Sequence, residues 1–114
     1  MAAKKIVLRE VEGREKEDVK FHPLITPWTV GSKHLMMAEL EIKPKGTLPR
    51  HNHGSSEVAV YFISGEGEVE IDGERFYGSS DTCFFVPAGS EVEIRNTGKE
   101  ALRVLVSRAP PPKE

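Results

Sequence analysis

The 114-residue chain contains no glutamine, two asparagines (Asn52 and Asn96), one cysteine, one tryptophan and two tyrosines. With Cys83 alone, no internal disulfide can form, and the staple usual in small secreted domains is missing. Nowhere do the ~20 consecutive apolar residues of a membrane span occur, and the N-terminus reaches Lys4 and Lys5 before any leader-like apolar run develops. A cytoplasmic protein without membrane association is expected. Charge of one sign is lacking as well: sixteen Lys and Arg offset eighteen Asp and Glu, giving a net charge of -2 with the signs interspersed. No basic face invites nucleic acid. Scarce amides and thiols beside abundant Glu and Lys form a balance that hyperthermophile proteins favour.

Helix signals are nearly absent too. Short apolar alternations punctuated by Gly, Pro, Asp and Asn run along the chain instead, the pattern of an all-β sandwich or barrel of about eight strands. From 33 to 42, His34, Met36, Ala38, Leu40 and Ile42 share one face opposite Glu39 and Glu41. Pro44 and Pro49 interrupt pairing beyond it, because neither can donate to a ladder. Asp72-Gly73 between alternating segments predicts a type I′ hairpin, whose two central residues need positive φ. Residues 10–20, mostly charged, read as a solvated loop, and 109–114 as an extended Pro-rich tail.

The residues with metal chemistry gather in one segment. His51, His53 and Glu57 lie within Arg50-His51-Asn52-His53-Gly54-Ser55-Ser56-Glu57. Residues two apart in an extended chain point the same way with Cα atoms ~6.6 Å apart, so two imidazoles can converge on one cation about 2.1 Å from each nitrogen. Glu57 has the same parity. Two nitrogens and a carboxylate oxygen would form a facial triad with open positions, suited to Fe, Mn, Ni or Zn.

These residues sit in a framework that resembles the cupin superfamily of small β-barrels. Gly46, His51-Asn52-His53, Glu57 and Gly65 follow its first motif with two one-residue slips, and Pro87-Ala88-Gly89, Val92 and Asn96 follow its second with Val92 where the family has histidine. Counting back from Gly65 by the family spacing lands on Val58, so Glu57 needs a bulge to face inward. The resemblance implies a double-stranded β-helix, or jelly-roll barrel, of two antiparallel sheets over residues 30–108, with 1–29 adding an N-terminal segment and edge strands. It also implies a small-molecule ligand inside the barrel and a frequent dimeric state. A homodimer fits the sheet edges that such a sandwich leaves for a partner to cover.

Two functions follow from this site. The first is a metal-dependent enzyme of oxygenase, isomerase or decarboxylase type acting on a small polar metabolite, with His51, His53 and Glu57 holding a divalent transition metal. The second is a non-catalytic cupin that binds a sugar-like molecule or an organic acid, its metal site degraded at Val92. His34, Tyr61, Phe62, Phe84 and Asn96 are the candidate substrate contacts. Phe85 and Trp28 are further candidate walls, Arg50 and Arg95 candidate anion partners, and Cys83 a weak ligand candidate. His22, before Pro23, reads as structural or exposed.

Overall fold

The computed structural model describes residues 3–112. After a short 3-10 turn at Leu8–Glu10 come ten strands: β1 (Arg14–Lys16), β2 (Val19–Ile25), β3 (Met36–Ile42), β4 (Thr47–Asn52), β5 (Glu57–Ser64), β6 (Glu66–Ile71), β7 (Glu74–Ser79), β8 (Cys83–Val86), β9 (Glu91–Asn96) and β10 (Leu102–Ala109). They form a six-stranded sheet in the order β1-β2-β3-β10-β5-β8 and a four-stranded sheet in the order β4-β9-β6-β7, with every pairing antiparallel. This is the expected jelly-roll architecture. No helix among the described residues is long and apolar enough to cross a membrane.

Alternation decides what each strand buries. From β3 the side chains of Ala38, Leu40 and Ile42 go inward, and from β5 those of Val58, Val60 and Phe62, all meeting Val69, Val92 and Ile94 of the other sheet in one core. Phe62 packs against Phe84 with ring centroids 5.2 Å apart. The β6–β7 hairpin turns at Asp72 (φ 50°) and Gly73 (φ 83°), the two positive values its Asp-Gly pair predicts.

Three sequence expectations change. The charged stretch 10–20 contains strand β1, which pairs with β2 through Arg14↔Phe21, Glu15↔Lys20 and Lys16↔Val19, because backbone pairing at a sheet edge leaves side chains of either sign in water. Pro49 lies within β4 and does not end it: β4 is an edge strand, and its register with β9 shifts between Leu48 and His51. Ala109, assigned to the tail, is the last residue of β10 and pairs with Glu57.

The outer face of the four-stranded sheet carries an ionic ladder. Arg95 reaches Glu68 at 2.6 Å, Glu93 at 2.9 Å and Glu70 at 3.2 Å, while Arg50 reaches Glu70 at 2.9 Å. Both arginines face away from the barrel interior, which removes them as anion partners there.

Candidate functional site

His51 lies in β4 opposite Val92 of β9, and His53 follows in the turn after β4. Their two-residue spacing brings both imidazoles to the same chamber between the sheets, as the sequence predicts. The chamber is about 110 Å³ and almost wholly apolar, walled by Phe21, Met36, Leu40 and Val92 among others. The turn is tied in place from several sides. Asn52 Oδ1 accepts from the Gly54 N–H at 2.7 Å, Asn52 Nδ2 donates to the Gly89 carbonyl at 2.8 Å, and Arg108 donates to the His53 carbonyl at 2.9 Å. The turn of the second motif thus docks on the loop of the first.

The hydrogen bonds assign the tautomers. His51 Nδ1–H donates to the Pro49 carbonyl at 2.8 Å, which leaves its Nε2 as an acceptor. His53 Nε2 lies 3.2 Å from it, so His53 donates from Nε2, and the ring centroids stand 4.4 Å apart at 75°. His53 Nδ1 is then a lone pair, buried with no hydrogen-bond partner. A buried acceptor left unpaired is costly. Burial, then the neighbouring His51, then Arg108 push the His53 pKa down to about 4, so the ring is neutral at pH 7.

The third ligand is not assembled. Glu57 is exposed on the outward face of β5, and Val58 takes the inward place. The register shift that β5 does contain falls between Phe62 and Ser64, so it leaves the alternation from Glu57 to Phe62 unbroken. With Val58 and Val92 inward, the barrel interior offers two imidazoles where a resident dication ordinarily has three or four protein ligands. The donor set present does not fit a closed metal centre.

The other expected contacts are redistributed. His34 is exposed in a bend before β3, which begins only at Met36, and face-sharing does not extend across a bend. Tyr61 shares the outward parity of Glu57 and donates to Asp81 Oδ1 at 2.5 Å. Phe62 and Phe84 are core residues outside the chamber wall. Asn96 is buried, but its Nδ2 donates to the carbonyls of Ile42, Lys43 and Glu100 and its Oδ1 accepts from Gly98 N–H, so its amide is engaged by the backbone and does not line the chamber. Phe85, at 60% exposure, and Trp28, at 56%, face solvent, as does Cys83.

Two features lay outside the sequence reading. Arg108, which holds the His53 turn, carried no local signal, because the contact joins residues 55 apart in the chain. On the outward face of the six-stranded sheet, Glu39 is fully buried, accepts from His22 Nδ1–H at 2.8 Å and accepts from Arg103 Nε–H at 2.9 Å. His22, Glu39 and Glu41 form the one cluster of three possible metal-ligand side chains among the described residues, and the guanidinium on Glu39 already supplies its positive charge.

Comparison with known proteins agrees with this geometry. A cupin-domain family model matches residues 38–108. The polyketide synthase protein CurC of Streptomyces cyaneus is 30% identical over 110 residues, which are 96% of this chain and 71% of that protein. The tetracenomycin polyketide synthase protein TcmJ of Streptomyces glaucescens is 28% identical over 109 residues, covering 96% of this chain and 73% of that protein. Among solved structures, a predicted oxalate decarboxylase from Thermotoga maritima superposes with a TM-score of 0.84 at 18% identity, covering 93% of this chain and 98% of the other. A family match over most of the barrel, on a jelly-roll whose two motif loops are hydrogen-bonded to one another, places this chain in the cupin family.

Proposed function

We propose that this cupin binds a small, largely apolar organic molecule carrying a hydroxyl group in the barrel chamber, and that it does so without a resident metal. The unpartnered Nδ1 of His53 carries the reading. It is a buried acceptor without a protein donor, on a ring that lines a chamber walled, His51 apart, by hydrocarbon, so a ligand O–H brought to it would remove the penalty of an unpaired buried group. His51 holds His53 in the tautomer that keeps Nδ1 free, and is itself held by the Pro49 carbonyl. Protonation of His53 would place a cation in an apolar wall near Arg108, so the pair favours accepting a hydrogen bond over acting as a strong base. The two Streptomyces relatives, both named as polyketide synthase proteins, support a polyketide-type compound as the ligand class.

The test uses phenol and benzene as probes, single rings in keeping with the chamber's volume. With the parent protein phenol is expected to bind at least tenfold tighter than benzene, and His53→Leu to remove that preference. Because the ring stays neutral down to about pH 4, the preference should persist unchanged from pH 8 to pH 5.5. A decline already at pH 6–7, or a preference that survives in His53→Leu, refutes the role given to Nδ1.

A second reading, a metal-dependent enzyme, is favoured by one observation. Two Nε2 atoms 3.2 Å apart subtend about 100° at an ion ~2.1 Å from each, an angle suited to neighbouring ligands of one cation. In that case the remaining positions belong to solvent or substrate, and binding is weak. We also propose a homodimer through the outward face of the six-stranded sheet, where Met37, Ser107, Ala59 and Phe85 form one cross-strand row. Sedimentation at the monomer mass would overturn it.

A further inference from the structure

We propose that the chamber's mouth is an anion-anchoring subsite, so that the ligand is an amphipathic organic anion whose apolar body enters the barrel while its carboxylate rests on Arg14 and Lys16. This rests on the reading that the chamber is the binding site, and it adds the charge of the ligand. The hairpin register is the first observation. Directly paired residues of antiparallel strands share a face, and Arg14 pairs with Phe21 while Lys16 pairs with Val19. Val19 belongs to the core and Phe21 walls the chamber. The two cations therefore extend the inward face of the six-stranded sheet past its last apolar strand, whereas Glu15, paired with Lys20, belongs to the outward face.

A second observation connects that edge to the chamber. A cleft of about 660 Å³ is lined by Arg14, Lys16 and Arg50, and it shares Phe21, Leu40, Leu48 and His51 with the chamber wall. Glu15 and Glu17 border the same cleft, Glu17 at the hairpin tip with φ 54°. The cations differ in availability. Arg50 is engaged by Glu70 at 2.9 Å and lies 3.8 Å from Glu93, while neither Arg14 nor Lys16 has an ion-pair partner among the described residues. Two unpaired cations in a cleft that shares its apolar wall with the chamber are complementary to a molecule that is apolar at one end and anionic at the other. Their placement also gives the charged segment 10–20 a part in binding that its composition does not disclose.

The experiment compares 8-anilinonaphthalene-1-sulfonate, whose fixed anion stands in for the carboxylate, with N-phenyl-1-naphthylamine, which has the same rings and no charge. Both are titrated by fluorescence at low salt against the full chain. Arg14→Ala with Lys16→Ala is expected to weaken the sulfonate about three- to tenfold and to leave the neutral probe unchanged, since each exposed charge pair adds a modest increment. Raising NaCl to 0.5 M should weaken the sulfonate on the parent and not on the double variant. Val106→Phe, or Ala38→Leu should the first variant fail to fold, narrows the chamber and should weaken both probes. If narrowing weakens both but the double variant leaves the sulfonate unaffected, the anion subsite is refuted and the chamber stands. If neither probe binds, or both ignore narrowing, the chamber reading falls and the subsite with it.

Discussion

Val92→His is expected to give the barrel a zinc site that the parent lacks. Val92 is the direct cross-strand partner of His51 and lines the same chamber as His53, so an imidazole at 92 joins two whose Nε2 atoms already lie 3.2 Å apart. Three histidines and an open position form an established zinc ligand set. At a zinc concentration about 100 times its Kd the folded state gains about 2.7 kcal/mol, which raises the melting temperature of a domain this size by roughly 10 °C or more. Without metal the variant should be about 1–3 kcal/mol less stable than the parent, because a larger, polar ring replaces a packed isopropyl group. Adding His51→Ala should abolish the zinc response, whereas adding Glu57→Gln should leave it intact, since that carboxylate is on the outward face. Thermal melts with and without zinc, beside metal content, measure all four proteins. A parent that retains zinc as firmly as Val92→His would show that two imidazoles suffice and would restore the metal-dependent reading.

Glu39→Ala is expected to destabilise the fold by about 3 kcal/mol or more, a large part of the 5–15 kcal/mol that holds a typical domain together. The carboxylate is completely buried, with one oxygen on His22 and the other on Arg103. Removing it leaves a buried imidazole N–H without its acceptor and a guanidinium without its counter-charge. Glu39→Gln retains the volume and one acceptor, and its loss should be smaller. Replacing His22, Glu39 and Arg103 together by leucine should be close to neutral, because the desolvation of the charged groups then disappears along with their attraction. Urea unfolding of the single and triple variants decides between these outcomes. A triple variant as unstable as Glu39→Ala would mean that the ionic cluster contributes net stability. Gly13 packs against the same histidine, since a Cβ at 13 would stand 2.6 Å from His22 Nε2. The cluster therefore also fixes where the N-terminal segment crosses the sheet.

Much of the barrel was legible in the chain. Period-two alternation in Ala38, Leu40 and Ile42, and in Val69 and Ile71, assigns strands and their buried faces, since a strand has only two faces and water separates them. Asp72-Gly73 specified its own turn because few other dipeptides tolerate two positive φ values. The pairing of His51 with His53 was legible for the same local reason: two residues apart in extended chain is one face.

The sequence by itself thus determined the all-β class, the hairpin, the two-imidazole constellation and the absence of a histidine at 92, each a matter of neighbours within a few residues. Only the tertiary structure decided that Glu57 faces out, since its direction depends on the pairing of β5 with β10 and β8, whose one irregularity falls beyond Phe62. It alone showed that Asn96 spends its hydrogen-bonding capacity on three backbone carbonyls and one backbone N–H, and that His34 stops short of the strand. It also buried Glu39 on a face that alternation assigns to solvent, and set Arg14 and Lys16 in the cleft that shares wall residues with the chamber. These outcomes turn on contacts between strands far apart in the chain, and no local pattern of side chains encodes which distant partner will arrive to bury a charge or satisfy a donor.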